Sequence, residues 1–146
     1  MGRFYGPAIA SQPRHLLAPP FRRELDLELL RQAHFSHRAS RLSCFFAART
    51  VEDAERYARR LTDPRRPNTA RIYEVFGKTF HEADMMQLDI AGPRVTEEFM
   101  AARYLAYWKG EMSSDDFGRG VRMPLVEVMI PLPVRIGALV SEVAVR

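Results

Sequence analysis

Cysteine is almost absent: Cys44 is the single one in 146 residues. An internal disulfide framework is thereby excluded, and the composition fits a reducing compartment. Lysine is nearly absent too, with Lys78 and Lys109 set against 20 arginines, for a net charge of +4. Arginine suits phosphate and carboxylate recognition, because its planar fork binds two oxygens at once. The densest clusters are only pairs, Arg22-Arg23, Arg59-Arg60 and Arg65-Arg66, so a basic nucleic-acid face is permitted rather than demanded. No apolar run approaches the ~20 residues of a membrane helix. Arg and Pro interrupt the first 21 residues, so no secretory signal is expected there, and a cytoplasmic location or export without a classical signal follows. There is no G-x-S-x-G elbow, phosphate loop, G-x-G-x-x-G or H-E-x-x-H. His34 and His37 have H-x-x-H spacing, but no Cys or carboxylate lies near enough in sequence to suggest a metal site.

What is present is 47% hydrophobic and 27% charged residues, enough for one domain with a real core, over 1–146. Residues 7–20 are Pro-rich and expected to be irregular. "RRELDLELLRQAH" predicts a helix with Leu25, Leu29, Leu30 and Ala33 on its apolar side. "SCFFAA", 43–48, predicts a buried strand, where Cys44 is a small buried thiol. "TVEDAERYARRL" predicts a helix capped by Thr50, and "RIYEVF", 71–76, a strand. "VTEEFMAARYLAYWKG" predicts a core helix from the Thr96 cap to Gly110. If Trp108 and Tyr104 were exposed together, they would form a target-recognition patch. Asp84 and Asp89 could pair for a cation, but loop carboxylates are usually solvated, and that is the expectation for both. Residues 125–130 and 134–140 read as a closing strand pair or one bent strand. Strands with helices inserted among them predict an α+β fold with a mixed sheet.

One position in "PLVEVMIPLPVRI", 124–136, stands apart. Strand alternation puts Glu127 on a face with Leu125 and Met129. An ionised carboxylate in such a setting is costly unless something binds it. Either this is an edge strand whose acid faces water, or Glu127 lines a cleft and stabilises positive charge or accepts a hydroxyl proton.

"VEVMIPLPVRI" resembles the terminal catalytic strand of ADP-ribosyltransferases, in which a glutamate precedes an aliphatic stretch. "SCFFAARTVEDAERYA" is similar to that family's aromatic-rich strand feeding an A-x-x-Y helix. "RIYEV" resembles the strand that follows. "FYG", 4–6, sits where the first strand carries "YRG" or "YHG". The pieces occur in the family's order and cover about a third of the chain, leaving 77–123 almost unmatched. The family's first-motif Arg or His falls on Tyr5, with Arg3, Arg14 or His15 as substitutes. Ser40-Arg41-Leu42-Ser43 loosely resembles a Ser-x-Ser strand start. Leu125 replaces the Glu or Gln of arginine- and asparagine-modifying members, which argues against a standard arginine-directed enzyme.

The resemblance implies two small mixed or antiparallel sheets forming an NAD cleft with flanking helices. It implies Glu127 as the catalytic residue. The NAD-binding set would be Tyr5, Ser40, Arg41, Ser43, Phe45, Phe46 and Tyr57, with Tyr73 as a further aromatic. Arg41, or else Arg38 or Arg14, would hold the pyrophosphate. No metal and no membrane partner are implied. The expected function is mono-ADP-ribosyl transfer from NAD to a macromolecule, a protein or else a nucleic acid, in a bacterial toxin, effector or phage-type modifier. The alternatives are a non-catalytic interaction protein on the same fold and a basic nucleic-acid-binding domain.

Overall fold

A computed structural model describes residues 11–60, 68–89, 96–113 and 123–145. "FYG", with Tyr5 and Arg3, lies outside them. Helix α1 (Pro19–His34) starts inside the stretch expected to be irregular, because prolines in the first turn have no N–H to leave unpaired. Its buried positions are Glu24, Leu27 and Glu28, whereas Leu29 is 52% exposed. The expected leucine stripe is therefore corrected. Spacing of i, i+3, i+4 aims the two acids inward, and basic and hydroxyl partners satisfy them there.

Strand β1 (Cys44–Ala48) leads into helix α2 (Val51–Arg59), whose Thr50 side chain accepts from the Asp53 N–H. Strands β2 (Thr69–Phe76) and β3 (His81–Asp84) follow, then helix α3 (Glu97–Lys109). Thr96 accepts from the Phe99 N–H at the start of α3, and Gly110 ends it in the left-handed region at φ 78°. Strands β4 (Val126–Pro131) and β5 (Arg135–Ala144) come last. Among the described residues the fold is α+β, with two small antiparallel sheets and three helices. One sheet has the order β1-β4-β3; the other is the β2-β5 pair. β4 and β5 are thus neither paired with each other nor one bent strand. β4 is the central strand of its sheet, so the edge-strand account of Glu127 fails.

Sequence alone missed β3. Its Asp84 is fully buried rather than solvated. The carboxylate accepts from the backbone N–H groups of Met86, Leu125 and Ser113 at 2.8–2.9 Å and from the Ser113 hydroxyl. That many donors make burial of the carboxylate tolerable.

The core packs α1 and α3 on one face of the β1-β4-β3 sheet. It contains Leu27, Ala83, Leu88, Tyr107, Trp108 and Met129. Trp108 is wholly buried and donates to the Leu27 carbonyl at 3.0 Å. Tyr104 packs half-buried against the same cluster, so the pair forms no recognition patch.

His81 stacks on Trp108, with ring centroids 6.1 Å apart. Burial, reinforced by the Arg38 and His37 charges, lowers its pKa to about 4. The folded protein thus resists protonating a group that the unfolded chain protonates near 6.5. Its contribution is complete above pH 6.5 and is lost as pH falls toward 4. Discounted for its half exposure, that is about 1–2 kcal/mol. Urea unfolding at pH 7.5 and 5.0 should show wild type losing about 1 kcal/mol more than His81→Phe. Glu28, whose pKa is lowered, loses its contribution only as pH falls below the ordinary glutamate value near 4.5, under the pH 5.0 sample: burial opposes its charge, but hydrogen bonds from Arg31, Ser40 and Gln32 outweigh it.

Candidate functional site

Alternation along β4 divides its side chains between two environments. Glu127 and Met129 face the helices, while Val126, Val128 and Ile130 face α2 and the β2-β5 sheet. Across the sheet, Glu127 is in register with Ala48 of β1 and Ala83 of β3. Two small neighbours leave room around the carboxylate.

Arg41, just before β1, reaches into that room and is itself buried. Its Nε and Nη2 donate to the two carboxylate oxygens of Glu24 at 2.8 and 3.2 Å. Its Nη1 donates to Glu127 Oε1 and to the Tyr107 hydroxyl. Tyr107 in turn donates to Glu127 Oε1 at 2.5 Å. The guanidinium lies over the rings of Phe46 and Tyr107, at 4.8 and 5.2 Å from their centroids. Burial works against the charge on Arg41, but Tyr107, Glu127 and Glu24 outweigh it and raise its pKa. Burial raises the Tyr107 pKa as well, with Arg41 opposing and Glu127 reinforcing, so the phenol remains a donor. Glu127 is 7% exposed. Both partners engage Oε1, and none of the described residues bonds Oε2.

Beside this network lies a cavity of about 1000 Å³, walled by both sheets and α2. Phe45, Phe46, Tyr57, Tyr73 and Glu127 border it. Ala48, Arg49 and Thr50 border it as well, where β1 turns into α2.

The buried network around Arg41 falls within a single family match. Residues 14–130 fit the model of a protein of unknown function, DUF2441. The chain belongs to the DUF2441 family. Its matched span holds Glu24, Arg41, Tyr107 and Glu127 together. No curated protein and no solved structure matches the chain.

Within this DUF2441 domain the residues singled out from sequence divide. Glu127, Phe45, Phe46 and Tyr57 meet at the large cavity. Ser40 and Ser43 lie at the opposite end of β1, around a second cavity of about 420 Å³ with Cys44 and Leu132. The Ser40 hydroxyl donates to Glu28 at 2.7 Å. Arg41 lies in the network with its fork on Glu24. Arg14 is paired with Asp26, and Arg38 sits against His81 and the Phe35 ring. His15 lies in a short exposed 3-10 turn.

Glu24 and Tyr107 did not emerge from sequence reasoning. The available signal was the inward spacing of two glutamates around Leu27, which an apolar-stripe search treats as the solvent side.

Burial pushes the Cys44 thiol up to about 12, against the opposing Arg41 charge. Native protein should therefore react with iodoacetamide at pH 8 about a hundredfold more slowly than urea-unfolded protein. Mass spectrometry of the alkylated peptide checks this.

Proposed function

We propose that the chain is a mono-ADP-ribosyltransferase. It breaks the bond between nicotinamide and ribose of NAD, and the electron pair leaves with nicotinamide. An acceptor nucleophile then bonds to the ribose carbon and gives up its proton. The observation that carries this reading is the state of the Glu127 carboxylate. One oxygen is fixed by Arg41 and Tyr107, the other takes no bond from the described residues, and Glu127 is among the residues of the central strand that border a cavity of ligand size. An anion fixed in advance, in poorly hydrated surroundings, is what a developing oxocarbenium ion requires. The oxygen that no described residue engages suits a ribose hydroxyl.

The remaining wall also fits NAD. Phe45, Tyr57 and Tyr73 offer rings for nicotinamide. Arg41 has its fork on Glu24, so the pyrophosphate falls to Arg49 and Arg71, which also border the cavity. Each is exposed and paired with one acid, Glu82 and Glu142 respectively. Exposed pairs contribute only about 0–1 kcal/mol, so either arginine can exchange its partner for a phosphate. The acceptor we favour is a protein, as for an effector or modifier acting on a macromolecule.

A second reading, a non-catalytic interaction protein, has one observation in its favour. The β2-β5 ribbon leaves Tyr73, Ile136, Leu139 and Val140 substantially exposed. Incubation with biotin-labelled NAD, in buffer and in cell lysate, separates the two. Label that appears on a macromolecule with wild type and vanishes with Glu127→Gln supports the transferase. No label and no nicotinamide release from wild type overturns it.

A further inference from the structure

Arg41 lies between two buried carboxylates, and only one of them borders the cavity. Glu24 takes the two-toothed side of the guanidinium and Glu127 the remaining nitrogen. Resting on the transferase reading, we propose that Glu24 is a positioning residue for the reaction. Through Arg41 it fixes where the Glu127 carboxylate stands and how much negative charge that carboxylate keeps for the transition state.

The argument is one of charge sharing. A lone Arg41–Glu127 pair would be nearly neutral, and a neutral pair stabilises an oxocarbenium ion poorly. With Glu24 on the same guanidinium, one positive charge serves two negative ones. Arg23 also approaches Glu24, at 3.6 Å, but its side chain is 39% exposed and screened by water. The buried part of the network is therefore left anionic on the Glu127 side. Orientation follows from the same contacts. A guanidinium held by two bonds to Glu24 cannot swing, so its third nitrogen and Tyr107 locate Glu127 Oε1 and direct Oε2. Glu24 itself does not border the cavity, so it acts without touching NAD.

Among the described residues, the groups facing Glu127 are few. They are Arg41 from the loop before β1, Tyr107 from α3 and the Cys44 thiol of β1, with Glu24 of α1 behind Arg41. β3 contributes Ala83.

The test compares nicotinamide release by full-length wild type, Glu24→Gln and Glu24→Asp across pH, with thermal unfolding as a check on folding. Glu24→Gln should lower kcat about tenfold or more with KM for NAD within about twofold. Its acid limb should move to lower pH, because an unshared Arg41 holds the Glu127 carboxylate ionised more strongly. Glu24→Asp keeps the charge and should return the limb toward the wild-type position. A wild type that releases nicotinamide and a folded Glu24→Gln with the same kcat and pH profile would overturn the role of Glu24 alone. A fall in kcat that simply tracks loss of folded protein, with an unmoved limb, would overturn it too. A wild type that releases no nicotinamide overturns the transferase reading, and this inference with it.

Discussion

Replacing Glu127 by Gln is expected to lower kcat for nicotinamide release by about 10²–10³-fold, the range for loss of one pre-organised transition-state contact. KM for NAD should change little. The ribose acquires its positive charge only as the glycosidic bond breaks, so the ground state gains little from the anion. Glutamine keeps an oxygen for Arg41 and Tyr107, and Arg41 stays paired with Glu24. Folding should therefore survive, with a thermal midpoint close to that of wild type. Steady-state nicotinamide release, with unfolding followed by circular dichroism, reads both quantities. Equal kcat in the two proteins would remove Glu127 from the chemistry.

The fold was legible wherever the signal was local. Thr50, Thr96 and Gly110 mark helix ends through their own side chains or backbone freedom, and α2 and α3 lie where those marks put them. β1 and β2 were visible as short β-rich runs. Partnership was not local. Whether β4 meets β5 or β1 depends on contacts across most of the chain, and alternation along β4 alone cannot choose. β3 is four residues long and reads His-Glu-Ala-Asp, so neither composition nor length marks it as a strand.

For the candidate site, Glu127 was conspicuous because an acid amid valines contradicts its surroundings. Its partners were not. Glu24 sits in a charged helix where acids normally face water, and Arg41 is one arginine among 20. Arginine's abundance concealed the few positions at which it is buried. Exposed pairs such as Arg59–Glu55 contribute little to stability, whereas Arg41 is confined between two acids in the core. The residue type is the same in both, and burial separates the roles.

That separation gives the largest stability effect expected of a single change. Arg41→Met should destabilise the protein by about 3–5 kcal/mol, because Glu24 and Glu127 would lose the cation that compensates their burial. Methionine fills much of the same volume, so little of the loss would come from a cavity. Against a typical total of about 5–15 kcal/mol the change is severe, and the thermal midpoint should fall by roughly 10 °C. The loss should ease as pH is lowered and the two orphaned carboxylates take up protons. A triple variant, Glu24→Gln with Arg41→Met and Glu127→Gln, removes every formal charge among these three residues. It should recover at least half of the loss, because an uncompensated charge costs more than a missing ion pair. Urea unfolding of the single and triple variants measures both quantities. A single variant within about 1 kcal/mol of wild type would mean that water already solvates the two acids. Glu127 would then be an ordinary hydrated carboxylate, and the case for a pre-organised anion in a dry site would fall with the stability result.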